Sequence, residues 1–222
     1  MKEICLIAGV SSPVLYAFTV ILGGILWPEY SHLSDAISEL TAAGAPFRFT
    51  LNILFSVSLV LGAFFAVSAF RFVKRFRIRL VRTGMGILLL ITILSFLWAF
   101  FPMDPRGAEA TFQGIVHLIL AGVVSPLTII SPALVGLGFR KIEGFRDYAI
   151  YSLVSAAVIL ATGLTAVLSI QYGDAYIGLF ERLTIGSYQQ WMGISALVFY
   201  RRLKQKLNES FQKNQESYSP RG

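Results

Sequence analysis

A chain of 222 residues with 55% hydrophobic side chains, 14% charged ones and a mean hydropathy of +0.68 is too apolar for an ordinary water-soluble domain, in which about 25% of residues are charged. A net charge of +7 and a pI of 9.7 raise nucleic acid as a partner, a reading that fails if the basic residues are sorted by membrane side. The single cysteine, Cys5, excludes a disulfide framework and a cysteine zinc site within one chain.

Crossing a hydrocarbon core takes about 20 apolar residues at 1.5 Å each. Six runs meet that length, at about 4–27, 48–70, 83–101, 114–139, 148–170 and 183–200. In lipid a lone span must satisfy its own backbone, so each is assigned as a helix. The first follows Lys2 and is long, with no small-residue cleavage site, so it is expected to be a retained span and not a signal peptide. Pro13 is expected to kink it. The first loop, "PEYSHLSDAISELTAAGAP", sets Leu33, Ala36, Ile37 and Leu40 at helical spacing, with His32, Asp35 and Glu39 on the opposite stripe. That spacing predicts a short amphipathic helix lying against the bundle end, its acidic stripe open to water or to a ligand.

In the second span Ser58, Gly62 and Ala66 recur every four residues, as do Ala157, Ala161, Thr165 and Ser169 in the fifth. Both stripes are expected to be close-packing faces. The loop "FPMDPRGAEATFQGIVH" puts Asp104 between two prolines and His117 about one turn inside the fourth span. An ionisable group at such a depth is costly and faces the bundle or a water cavity. Pro126 and Pro132 are expected to kink that span. The third loop brings Glu181 and Arg182 to the mouth of span six, where Arg182 is a natural partner for Asp104, Asp35 or Glu39. Gln189, Gln190 and Trp191 lie about two turns deeper, where packing and interhelical hydrogen bonds compete with a pocket lining. Residues 1–202 thus form a membrane domain and 203–222 a polar tail, disordered from "NQESYSPRG" onward.

With the N-terminus cytoplasmic, sixteen of the nineteen lysines and arginines fall inside, and only Arg48, Arg106 and Arg182 outside. Seven of the twelve acids, Asp174 among them, lie outside. The positive-inside rule then places both termini in the cytoplasm of a multi-pass cell-membrane protein. Nucleic acid drops out, and anionic lipid becomes the expected partner of the basic inner face.

The segments "SHLSDAISELTAAGAPFRFTLNILF", "FPMDP" followed by His117, and "GLFERLTIGSYQQW" resemble the DUF998 family of multi-span prokaryotic membrane proteins. The resemblance rests most on residues 37–40, Pro46, Asn52, Asp104, Pro105, His117, Glu181, Arg182 and Trp191. It implies six spans and a shared polar set, and no reaction.

Three functions remain open. The first is a binder of a lipid headgroup, small molecule or partner in an outward-facing pocket, drawing on His32, Asp35, Glu39, Asp104, His117, Glu181, Arg182, Gln189 and Trp191. The second is an outer-face hydrolase or transferase, with Asp104 and His117 as acid/base candidates or His32, His117, Asp35 and Asp104 as metal ligands. The sequence carries no H-E-x-x-H or G-x-S-x-G motif in its support. The third is a small transporter of two inverted three-span halves. C-x-x-C and phosphate-cradling glycine loops are absent, so redox and nucleotide chemistry have no sequence basis. The sequence leaves any cofactor unknown.

Overall fold

The computed structural model describes residues 2–171, 173 and 175–218, so Asp174 and residues 219–222 lie outside the described part. Among the described residues the chain is helical, with no strand. Six long helices follow one another: α1 (Lys2–Leu26), α2 (Arg48–Val73), α3 (Arg79–Ser95), α4 (Phe112–Phe139), α5 (Arg146–Gln171) and α6 (Ile177–Tyr218). Each packs on the next, and α6 returns to α1, so the helices close into a ring.

Five stretches are long and apolar enough to cross a membrane: Ile7–Leu26, Arg48–Phe76, Arg79–Ala99, Phe112–Phe139 and Arg146–Ile170. Only 17–39% of each is buried inside the protein. Side chains such as Phe49, Leu118 and Val14 are 79%, 65% and 64% exposed. An apolar surface of that extent needs lipid as its solvent. α6 is not among the five. Its first half carries Glu181, Arg182, Gln189 and Gln190, and at 42 residues it is far longer than a span needs.

The six expected runs correspond to the six helices, and Pro13, Pro126 and Pro132 lie within helices that continue past them. The tail differs from expectation. Helix α6 extends unbroken to Tyr218, where disorder was expected from Asn214.

The α1–α2 contact is built on the expected small residues. Ser12 Oγ donates to the Ser58 carbonyl at 2.8 Å, and Ser58 Oγ donates to the Ser12 carbonyl at 2.9 Å. Gly62 and Ala66 are buried one and two turns further along. Such reciprocal bonds hold helices together where lipid supplies no hydrophobic drive. The α5 stripe is a correction: Ala157 and Ala161 are exposed. The buried face of α5 is instead Tyr148, Ser152, Ala156 and Ile159. Its hydroxyls dictate that rotation, because the Tyr148 hydroxyl bonds Ser195 Oγ at 2.6 Å and Ser152 Oγ accepts from the Trp191 indole at 3.0 Å.

The main core carries stacked aromatic pairs at the basic end. There Phe139 stacks on Phe145 at 4.3 Å, and Phe72 stacks on Phe199 at 4.8 Å. A smaller cluster, Val20, Tyr30, Ile37, Leu40 and Leu51, lies beneath the first loop at the opposite end.

Candidate functional site

The end opposite the basic segments, here the acidic end, is where α2, α4 and α6 begin. The loop between α1 and α2 is its hub. This loop is not the amphipathic α-helix expected: the only regular piece is a five-residue 3-10 turn, Ile37–Thr41. Ala36, Ile37 and Leu40 are buried as the spacing implied, but Leu33 is 53% exposed. The cause is local competition for backbone groups. Asp35 Oδ2 accepts the Ser31 N–H at 2.7 Å, and the Tyr30 hydroxyl donates to the Ala36 carbonyl at 2.9 Å. Groups taken by side chains are lost to a helical ladder, and Ala36 turns extended.

Arg182 fastens this loop to α6. Its Nε donates to His32 Nδ1 at 3.1 Å, and Nη1 donates to the carbonyls of Asp35 and Gly178, both at 2.8 Å. Nη2 donates to the Tyr30 hydroxyl, and the guanidinium lies 5.3 Å from the Tyr30 ring centre. The approach is so close that a Cβ at Gly178 would collide with the Asp35 carbonyl. One at Gly24 would collide with His32 Nε2. Arg182 therefore pairs with carbonyls, a phenol and an imidazole, and with none of the carboxylates expected for it. Burial first, and then the Arg182 charge, hold the His32 pKa below its ordinary value.

Two of the loop's carboxylates, Asp35 and Glu39, go to Arg106, a partner that sequence reasoning missed. Its Nη2 donates to Glu39 Oε1 at 2.7 Å and to the Ser34 carbonyl at 3.0 Å, and lies 3.8 Å from Asp35 Oδ1. The acidic stripe is accordingly not a water-facing one: the Glu39 and Asp35 side chains are 13% and 20% exposed. The signal was available, since Arg106 is one of three outer cations, in a short loop across from that stripe. Tyr30 left no comparable signal. Backbone bonds complete the cap, from Leu179 N–H to the Leu33 carbonyl and from Ala43 N–H to the Met103 carbonyl, both at 3.0 Å.

Glu181 stands under this cap. Its Oε2 accepts the Ile37 N–H at 2.6 Å, the first amide of the 3-10 turn. Burial pushes its pKa up to about 7, against the lowering effects of the Ile37 bond and the Arg182 charge.

Asp104 and His117 belong to the α3–α4 corner. Asp104 accepts the Thr111 N–H at 2.9 Å and the Thr111 hydroxyl at 2.7 Å. Thr111 in turn caps α4, accepting the Gly114 N–H at 3.2 Å. Those Thr111 bonds hold the Asp104 pKa below its ordinary value, as suits an anion at a helix N-terminus. His117 is buried, with Nδ1 2.9 Å from the Phe101 carbonyl and its ring 6.1 Å from that of Trp98. His32 and His117 thus bond to different partners. Among the described residues no group of three or more His, Cys, Asp or Glu side chains is placed to hold a metal ion, so the four suggested ligands are not brought together. Trp191 is fully buried in the core against Ser152, and Gln190 is exposed. Gln189 Oε1 is buried without a hydrogen-bond partner.

A ring of long apolar helices, closed at one end by a polar cap, defines a polytopic helical membrane protein. The model of the DUF998 family, proteins of unknown function, matches residues 10–198, which is most of the chain, and the chain belongs to that family. No curated protein and no solved structure matches it.

Proposed function

We propose that this is a six-span cell-membrane protein, both termini cytoplasmic, that binds a lipid headgroup or small molecule at the acidic end, facing outward. The observation that carries the reading is the meeting of charged side chains from the first loop, the second loop and α6 in one cap, tied by Arg106 and Arg182. A cap whose polar groups are already oriented costs a ligand little reorganisation. The span count takes α6 as the sixth crossing through residues 183–200, and the orientation follows from the sorting of cations. The basic end, with Arg71, Lys74, Arg75, Arg140 and Lys141, meets anionic lipid in this arrangement.

A purified sample in non-ionic detergent, titrated with short-chain phospholipids of different headgroups, tests the reading by thermal unfolding. At least one headgroup is expected to raise Tm in proportion to its concentration, and His32→Asn or Glu39→Gln to reduce the rise. A folded protein indifferent to every headgroup, or a rise untouched by both substitutions, would sink it.

A further inference from the structure

We propose that Glu181 anchors a site for a primary ammonium group, carried by a lipid headgroup or by a free amine; the proposal rests on the outward-facing binding reading. Glu181 is a carboxylate without a cation. Its Oε2 bonds the Ile37 N–H and Oε1 makes no hydrogen bond. No lysine, arginine or histidine nitrogen among the described residues lies within 4.0 Å of either oxygen. Arg182, its neighbour in sequence, turns its guanidinium to Tyr30, His32 and the carbonyls of Asp35 and Gly178.

The charge of the cap is unbalanced in the same sense. Among the described residues bonded into the cap, Asp35, Glu39 and Glu181 stand with Arg106 and Arg182, three carboxylates against two guanidiniums. His32 adds no positive charge, because its Nδ1 lone pair is the acceptor for Arg182. One negative charge is left over, on the residue with the fewest partners. A partly buried carboxylate in that position gains most from a cation that brings its own hydrogen-bond donors.

The surroundings select the cation. Tyr30, whose hydroxyl and ring already receive the Arg182 guanidinium, shows that the aromatic side chains of this cap accept cations. Such a ring offers apolar and π surface to an ammonium group. A divalent metal would need more oxygen ligands than this, and no such group exists among the described residues. An anion finds the Arg182 donors already engaged by protein acceptors. A primary ammonium, monovalent and with three N–H donors, fits the single charge and the open Oε1.

The test is thermal unfolding of the purified chain in non-ionic detergent at about pH 8, where a carboxyl of this kind is ionised. The probes are ethanolamine, dihexanoyl phosphatidylethanolamine and dihexanoyl phosphatidylglycerol. The ammonium lipid is expected to bind at least tenfold more tightly than the glycerol lipid. Stabilisation by ethanolamine alone would assign a free amine as the source, and stabilisation by the lipid alone a headgroup. Glu181→Gln is expected to weaken either by tenfold or more. Should Glu181→Gln not fold, the wild type carries the test, since its ammonium affinity must fall as pH drops below about 7 and Glu181, beside Glu39, Arg182, Tyr16 and Tyr30, takes up its proton. Ammonium binding equal in wild type and Glu181→Gln and flat with pH would overturn the proposal, as would binding of the glycerol lipid alone, and either would leave the binding reading standing. No binding of any probe would also overturn the proposal, the binding reading then resting on the wider headgroup titration.

Discussion

Arg182 directs four hydrogen bonds from one guanidinium at Tyr30, His32 and the carbonyls of Asp35 and Gly178. Lysine has a single point charge and cannot reproduce a planar fork of donors. Arg182→Lys is therefore expected to cost about 2 kcal/mol, the scale of a lost hydrogen bond to a charged group, read as a lower Tm in detergent. An unchanged Tm would show that the cap does not depend on this fork. Arg106 is different: its side chain is 46% exposed, and exposed pairs contribute only about 0–1 kcal/mol.

Glu181 gives the cap a pH dependence whose sign is unusual for a carboxyl. Its folded pKa, about 7, lies above the ordinary value of 4.5. Between those values the folded state holds a proton that the unfolded chain releases, so its contribution to stability is full below the lower value and is lost as pH rises through about 7. His32 and Asp104, both with lowered pKa, act the other way: their contribution is full above the ordinary value of each group and is lost as pH falls below it through the lowered folded pKa. The comparison of wild type with Glu181→Gln isolates the one group. The two are expected to match near pH 5, and the glutamine variant to gain on the order of 2 kcal/mol relative to wild type by pH 8. A constant difference across that range would contradict the assignment.

Among the helices, small residues alone do not decide which face packs. Gly62 is buried, and a Cβ there would lie 3.2 Å from Ser12 Oγ, whereas Ala161 is exposed. Gly62→Leu is expected to overpack the α1–α2 contact and lower stability by about 1–3 kcal/mol, while Ala161→Leu stays within about 0.5 kcal/mol. Equal effects in a side-by-side thermal unfolding experiment would contradict the rotation described for α5. The helices themselves were legible in the sequence because length and hydropathy suffice in lipid. Their rotation was not, because two small-residue stripes look alike until Tyr148 and Ser152 are seen bonding Ser195 and Trp191. The first loop was legible as to what it buries, Ile37 and Leu40, and illegible as to shape. Its conformation depends on Tyr30 and Arg182, which are far from one another in the chain. The gathering of the first loop and α6 was anticipated; which cation meets which carboxylate was not, since loop charges have no periodicity to read.

At the scale of the molecule, the account depends on a sorting of charge along the bundle. Aromatic packing and the cations of the α2–α3 and α4–α5 connections, Arg71, Lys74, Arg75, Arg77, Arg140 and Lys141, mark one end, and the cap of Asp35, Glu39, Glu181, Arg106 and Arg182 marks the other. The proposed ligand site faces the exterior only if that sorting follows the membrane potential and lipid asymmetry as it does in other multi-span proteins. Cysteine labelling decides this directly. With Cys5→Ser as background, Ala108→Cys places a thiol in the exposed second loop of the acidic end, and Lys141→Cys places one in the exposed α4–α5 connection of the basic end. In intact cells a membrane-impermeant maleimide is expected to label Ala108→Cys at once and Lys141→Cys only after permeabilisation; labelling of Lys141→Cys in intact cells, with Ala108→Cys protected, would contradict the orientation on which the binding site rests.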